Sequence, residues 1–257
     1  MSKKRSTSWG KVGDWYNKLV GEEGMHYHQN VILPNVLDLL ALENDETLSL
    51  LDIGCGQGIL SRHIPENINY HGVDISPELI KLAKKHCSNS NHQFSVGDAT
   101  KALPVKKKSF THVTIILALQ NMEDPSLALK NAAKHLEVGG KLVVVMNHPS
   151  FRIPRQTHWG VDESKKLQYR RVDMYMSDLK IPIHAKPSKG KKSEVTWSFH
   201  HPLSYYIKVL RESGFLLSHF EEWCSDKKSS GAKARMENKA RKEFPLFLCL
   251  VGIKTSS

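Results

Sequence analysis

Short apolar runs rich in β-branched residues alternate with segments of helical periodicity from about residue 48 to the end of the chain. This alternation is typical of a parallel sheet with helices on both faces. Strands are predicted at 49–53, 69–73, 93–96, 112–117, 141–146, 216–220 and 246–253. Helices are predicted near 59–64, 77–86, 125–136 and 202–213, three of them with a proline near the start. The pattern therefore predicts an α/β fold with a seven-stranded, doubly wound, mostly parallel sheet.

Two long intervals interrupt this alternation. Residues 148–201 follow the fifth predicted strand, and residues 223–243 separate the sixth strand from the seventh. Both are longer than ordinary connections, so each is expected to be functional, disordered or locally folded.

The composition indicates a soluble globular protein. Of 257 residues, 40% are hydrophobic and 25% are charged. The longest apolar run is about ten residues, against roughly twenty for a spanning helix, so no membrane span is expected. The N-terminus lacks an apolar signal-peptide centre, and four scattered cysteines suggest neither a disulfide framework nor a metal site. We expect a cytoplasmic protein without a metal.

A glycine-rich turn follows the first predicted strand and contains Gly54, Gly56 and Gly58. Glycines at this spacing let a ligand lie against bare backbone, and the following helix start offers free N–H groups. A dinucleotide fingerprint would place its third glycine at position 59, which is Ile59. The spacing therefore argues against NAD or FAD.

Two acidic residues follow the next two predicted strands. Asp74 ends the second strand, where a carboxylate can accept hydrogen bonds from both hydroxyls of a ribose. Asp98 closes the third strand and could accept a hydrogen bond from an exocyclic amine. A plainer interpretation is that these acids belong only to turns and the glycines only to a tight bend.

Residues 48–146 resemble the class I S-adenosylmethionine-dependent methyltransferases, in which a D-x-G-x-G-x-G motif, an acid after the second strand and a Gly-Asp-Ala step after the third form the cofactor site. The resemblance implies a Rossmann-like methyltransferase fold with S-adenosyl-L-methionine as cofactor. It also implies a set of cofactor-binding residues: Asp52, Gly54, Cys55, Gly56, Gly58, Asp74, Ile75, Asp98, Ala99 and Leu117.

The N-terminal segment is dense in aromatic residues and histidines, among them Trp15, Tyr16 and Tyr27. It resembles the leader of quinone-biosynthesis methyltransferases, which folds over the cofactor, and aromatic rings suit a sulfonium cation. These aromatics could equally be core residues. The resemblance thus implies one methyltransferase domain, 1–257, with a cofactor-covering segment (1–47), a cofactor-binding core (48–147), an insertion or lid (148–201) and a C-terminal part (202–257).

Most of the positive charge lies in the two insertions. The net charge is +11, of which residues 150–200 carry +6 and residues 223–243 carry +4. Both insertions leave the carboxyl end of a strand, where α/β sheets bind ligands, so the charge is expected to border the active site and attract anions. A solvated surface is the simpler alternative for a lysine run. Guanidinium groups pair bidentately with carboxylate or phosphate, which makes four arginines substrate-binding candidates: Arg152, Arg155, Arg170 and Arg171.

His148 directly follows the fifth predicted strand, near the expected position of the methyl group. A histidine there could take a proton from the acceptor, although a structural role is as plausible. Residues 118–122 do not match the motif of adenine and glutamine amine methyltransferases, and no Cys follows a Pro, as a cytosine-C5 enzyme would require.

Three hypotheses follow for function. The first is an enzyme that methylates a small anionic metabolite. The second is an RNA methyltransferase whose basic insertions grip phosphates. The third is a cofactor-binding regulatory protein that has lost catalysis.

Overall fold

The computed structural model describes residues 24–42, 47–107, 109–184, 193 and 195–256. Within them lie eleven strands: β1 (Ser49–Ile53), β2 (Asn69–Asp74), β3 (His92–Val96), β4 (Phe110–Ile116), β5 (Leu136–Asn147), β6 (Thr157–Asp162), β7 (Leu167–Val172), β8 (Leu179–His184), β9 (Val195–His200), β10 (Phe215–Trp223) and β11 (Phe247–Lys254). The same residues contain five α-helices: α1 (Leu33–Leu40), α2 (Pro77–His86), α3 (Pro125–His135), α4 (Leu203–Glu212) and α5 (Ala234–Glu243).

Seven strands form the central sheet, in the order β10-β11-β5-β4-β1-β2-β3. All are parallel except β11, which runs antiparallel to both β5 and β10. The chain order reverses between β1 and β4, so the sheet winds in both directions from that point. The predicted seven-stranded, mostly parallel sheet is confirmed.

Both faces of the sheet are buried, which explains its nearly continuous apolar strands. On β5, Leu142 and Val144 face one core, where α3 and α4 pack, while Val143 and Val145 face the other, where α1 and α2 pack. The helix starts follow local sequence signals. Ser76 accepts a hydrogen bond from the Leu79 N–H at 3.2 Å, and Pro77 occupies the first turn of α2.

The predicted helix at 59–64 is wrong: the chain makes only a 3-10 turn at Leu60–Arg62. Gly58 has a φ of +74°, and Pro65 follows seven residues later. The short span between a left-handed glycine and a proline leaves room for little more than one helical turn.

The described part of 148–201 is locally folded. β6 pairs with β7 and β8 pairs with β9, each pair forming an antiparallel two-stranded sheet. α5, from the second insertion, packs against β7, and Lys233 forms an ion pair with Glu163 at 2.7 Å. The two insertions therefore make one continuous structure beside the sheet. Four lysines of the first insertion, Lys186, Lys189, Lys191 and Lys192, lie outside the described residues.

No helix in the described part of the chain is long and apolar enough to cross a membrane. The four cysteines are free thiols. Among the described residues, no group of three or more His, Cys, Asp or Glu side chains is arranged to hold a metal ion.

Candidate active site

A cavity of about 310 Å³ opens at the carboxyl ends of the parallel strands. The glycine turn after β1, Asp74 at the end of β2 and the chain after β4 form one part of its wall. Arg152, Pro154 and Phe247 line another part of the wall. Residues 25–32 cover the cavity, and four of them line it: Met25, Tyr27, His28 and Ile32. This edge of an α/β sheet is the expected place for a ligand.

The glycine turn has an open backbone surface on the cavity. Gly54 and Gly56 both adopt positive φ, +79° and +57°. A Cβ at Gly54 would lie 2.4 Å from the Cβ of Ala118, whereas a Cβ at Gly56 would meet nothing within 4 Å. Gly56 therefore leaves space that a side chain would fill. Gly58 has a packing role instead, since a Cβ there would approach Phe94 to 2.9 Å.

Asp74 ties the glycine turn to the end of β2. One carboxylate oxygen accepts the Gly56 N–H at 3.0 Å, and the other accepts the Ser76 N–H at 2.8 Å. Burial raises the pKa of this carboxyl, although the backbone N–H groups oppose the shift. The backbone N–H groups do not use all of the roughly four lone pairs of the carboxylate, so Asp74 can still accept a hydrogen bond from a hydroxyl in the cavity.

Asp52 lies beneath the cavity and does not line it. It is 3% exposed and accepts hydrogen bonds from the Tyr70 and Thr114 hydroxyls, both at 2.8 Å. Burial raises its pKa to about 6, against the effect of these two bonds. Because Tyr70 is on β2 and Thr114 on β4, Asp52 joins the three strands that carry the site.

Four other predicted cofactor residues lie outside the cavity. Cys55 is buried behind the turn, and the side chain of Ile75 is exposed. Asp98 accepts hydrogen bonds from the backbone N–H and the hydroxyl of Thr100, at 2.9 and 2.7 Å. Ala99 packs against the core.

Leu117 lines the cavity with a φ of +52°, unusual for a leucine. Its carbonyl oxygen accepts hydrogen bonds from the Gln120 and Asn121 side-chain amides, at 2.9 and 3.2 Å. These bonds hold the turn that places Ala118 against Gly54.

Of the four candidate arginines, only Arg152 reaches the cavity. Its guanidinium lies 5.3 Å from the centre of the Phe247 ring, and burial lowers its pKa. Arg170 donates to the Phe151 carbonyl and to the Thr157 hydroxyl. Arg171 forms a surface ion pair with Asp173 at 3.0 Å. Arg155 is exposed.

The guanidinium of Arg152 has no partner of opposite charge in the described part of the protein. Among the described residues, no carboxylate lies within 4.0 Å of it, and no hydrogen bond joins it to a protein acceptor. The side chain is half-buried, and a guanidinium without a protein acceptor can pair with an anionic group of a ligand in the cavity.

His148 is buried beside the cavity, in a small recess that it shares with Arg152. Its Nδ1 accepts the Ser150 N–H at 3.1 Å, so Nε2 carries the proton and donates to Glu222 at 2.7 Å. Burial lowers the pKa of the ring, against the opposing effect of Glu222. Both nitrogens are thus engaged, which argues for a structural role, and the proposed role as a base stays a prediction.

The N-terminal covering residues are anchored by the second insertion. The Tyr27 and Ser225 hydroxyls are 3.0 Å apart, and His26 pairs with Asp226 at 2.9 Å. Tyr27 lines the cavity, together with His28 at the start of a π-helical turn. Trp15 and Tyr16 lie outside the described residues.

Within the part of the chain that the structure describes, two buried side chains of the cavity wall have a polar atom without a hydrogen-bond partner: Nδ1 of His28 and Oε1 of Gln120. Neither was predicted from the sequence as a site residue. No local pattern marks them, because their roles depend on contacts between the N-terminal segment, β4 and the first insertion.

Comparison with known proteins agrees with this geometry. The family model described as "Methyltransferase domain" matches residues 51–144. A ubiquinone biosynthesis O-methyltransferase of Xanthomonas oryzae pv. oryzae is 32% identical over 185 residues, covering 62% of this chain and 75% of that protein. The chain belongs to the class I S-adenosylmethionine-dependent methyltransferases.

Further relatives agree on the family and the fold. A ubiquinone biosynthesis O-methyltransferase of Coxiella burnetii is 29% identical over 206 residues, covering 77% of this methyltransferase and 86% of that protein. The crystal structure of an S-adenosylmethionine-dependent methyltransferase from Mesorhizobium loti superposes with a TM-score of 0.67 at 22% identity, covering 86% and 96% of the two chains. The cofactor of this methyltransferase is S-adenosylmethionine.

Proposed function

We propose that this methyltransferase transfers a methyl group to a small anionic metabolite, and that cofactor and acceptor share the cavity above the glycine turn. Arg152 carries the proposal, because it is a cation in the wall of that cavity without a carboxylate partner in the described part of the protein. An anionic group of the acceptor would supply the missing partner.

For the cofactor, we propose that Gly54 and Gly56 contact the methionine portion and that Asp74 holds the ribose. The open space at Gly56 and the free lone pairs of Asp74 support these roles. Leu117 would complete the wall, and Asp98 with Ala99 would meet the adenine at the rim. Asp52, Cys55, Gly58 and Ile75 would act by shaping the turn and its surroundings.

When bound, S-adenosylmethionine supplies an electrophilic methyl group on a sulfonium. The protein then mainly has to align the acceptor with that group and exclude water. Aromatic contacts suit both tasks: Tyr27 packs edge-on against Phe247 at 5.7 Å, and both line the cavity. The covering residues 25–32 would shield the reacting atoms from solvent.

The relatives support a small acceptor, because they are named as O-methyltransferases of ubiquinone biosynthesis. The first insertion favours the same interpretation. Pro154, Ile183 and Ser198 bring its loop and both strands of its second hairpin to the cavity wall, as expected for a part that recognises the acceptor.

A second candidate is methylation of RNA. It is favoured by the joining of the two insertions through α5 and β7, because these insertions carry most of the net positive charge of the chain. Phosphate contacts of this kind would make binding strongly salt-dependent.

Arg152→Met tests the anion site, with Arg155→Met as the matched control outside the cavity. Loss of one charge-assisted pair predicts about a 10- to 100-fold slower transfer of tritiated methyl into the metabolite fraction of a cell extract, at limiting acceptor. The control should transfer at the wild-type rate, and both variants should bind S-adenosylhomocysteine with wild-type affinity in calorimetry. Weaker binding of S-adenosylhomocysteine by Arg152→Met alone would assign this arginine to the cofactor and contradict the proposal.

A further inference from the structure

Gln120 has a defined orientation in the cavity wall. Its side-chain nitrogen donates to the Leu117 carbonyl oxygen at 2.9 Å, and a carbonyl can only accept. The Oε1 atom therefore points the other way. The side chain is 9% exposed, and Oε1 finds no donor among the described residues.

A buried oxygen without a donor is unfavourable, so a ligand that donates a hydrogen bond to it from the cavity would gain binding energy. The amide is neutral and cannot neutralise a charge. Oε1 can only accept a hydrogen bond, so its partner must be a hydroxyl or an N–H group.

Gln120 and Arg152 belong to the same corner of the site. Both line the main cavity, and both line the small recess that adjoins it, together with Asn147, Pro154 and Ser198. The Ser198 hydroxyl also donates to the main-chain carbonyl oxygen of Gln120 at 3.5 Å, which connects this corner to the first insertion. A small molecule that meets the guanidinium is therefore within reach of the amide.

We propose that Gln120 and Arg152 form a two-point acceptor site, in which Arg152 binds a carboxylate and Gln120 Oε1 accepts a hydrogen bond from a hydroxyl or amine of the same molecule. The acceptor class is then a hydroxy or amino acid with an apolar body. Phe247, Tyr27 and Ile183 supply apolar surface on the remaining wall. This inference rests on the proposed function, because it assumes that the acceptor occupies the Arg152 end of the cavity.

A site of this type discriminates strongly against an acceptor that lacks the donor, because such a molecule would leave Oε1 buried and unpaired. The arrangement thus predicts a preference that can be measured by binding, without knowledge of the natural acceptor and without turnover.

The test uses the full chain saturated with S-adenosylhomocysteine and four probes: benzoate and the three hydroxybenzoate isomers. In the wild type, at least one isomer should bind about five- to tenfold more tightly than benzoate, as one hydrogen bond predicts. In Gln120→Met, which keeps the side-chain length without the acceptor, this ratio should fall to about one. Gln168→Met, the same change on β7 outside the cavity, should keep the wild-type ratio.

Arg152→Met separates the two contacts. It should weaken benzoate and the preferred hydroxybenzoate by the same factor, so that their ratio persists. The two-point site is contradicted if no isomer exceeds benzoate, or if the preference survives in Gln120→Met. Failure of all four probes to bind while S-adenosylhomocysteine binds would reject the anion site itself, and the proposed function with it.

Discussion

Gly56 is the residue at which a single substitution tests the cofactor site most sharply. A methyl group at this position meets no described residue within 4 Å, so its effect on packing is small. Its effect on a ligand lying against the turn is large. Gly139, near the start of β5, matches it closely, since its φ is +80° and its added Cβ would also meet nothing within 4 Å.

Gly56→Ala and Gly139→Ala should therefore lose similar stability, about 1 kcal/mol each, because both force alanine into a left-handed conformation. Only Gly56→Ala should lose affinity for S-adenosylhomocysteine, by tenfold or more in calorimetry. Equal affinity of the two variants would show that the ligand does not lie against this turn.

The arginines illustrate which part of the site the sequence could predict. Arg152 and Arg170 were equal candidates, because both lie in the basic insertion. They differ in their contacts: Arg170 donates to Phe151 and Thr157, while Arg152 finds no such acceptor among the residues that the structure describes. Likewise, His148 has its Nδ1 and Nε2 engaged by Ser150 and Glu222, and Glu222 lies 74 positions away on β10.

At the scale of elements, β1 and β4 contain buried groups with opposite effects on the pH dependence of folding. Burial raises the pKa of Asp52, on β1, from 3.8 to about 6. On β4, burial and then the charge of Lys141 lower the pKa of His112 from 6.5 to about 4. Between pH 4 and 6, Asp52 is therefore mostly protonated in the folded protein and mostly ionised in the unfolded chain. His112 is mostly neutral in the folded protein and mostly protonated in the unfolded chain.

The slope of the free energy of unfolding with pH depends on which state binds more protons. Asp52 makes the free energy of unfolding fall as pH rises from 4 to 6, because the folded state binds the extra proton. His112 makes it rise over the same range, because the unfolded state binds the extra proton. The two contributions oppose each other, at up to about 1.4 kcal/mol per pH unit for each proton.

Single variants should uncover these slopes. Relative to wild type, Asp52→Asn should make the free energy of unfolding, measured by urea titration, rise more steeply between pH 4 and 6. His112→Gln should make it rise less steeply than in the wild type over that range, or fall. Parallel curves for wild type and both variants would contradict the assigned pKa shifts, whatever the overall stability of each variant.

The elements themselves could be predicted where the apolar pattern is strong. The strand 49–53 and the helix 77–86 have the predicted bounds, since burial on the sheet and a Ser-Pro start specify them locally. The hairpins of the first insertion were predicted only as an interval. β6 and β7 have largely exposed side chains, and their partner, α5, comes from about 70 residues later in the chain.

At the scale of the whole molecule, the two insertions are joined through α5 and β7. The first insertion contributes Arg152, Pro154, Ile183 and Ser198 to the cavity wall. Their positive charge would raise the local concentration of anions of any size. Charge alone therefore does not separate a metabolite from RNA, whereas the position of Arg152 in the cavity wall favours a small acceptor that can enter the cavity.

The most direct measurement is transfer of tritiated methyl from S-adenosylmethionine into a cell extract that is then separated into metabolite, RNA and protein fractions. We predict that the label enters the metabolite fraction, in a product retained by an anion exchanger, and that Arg152→Met greatly reduces it. Label confined to RNA or protein, or no transfer at all, would contradict the account.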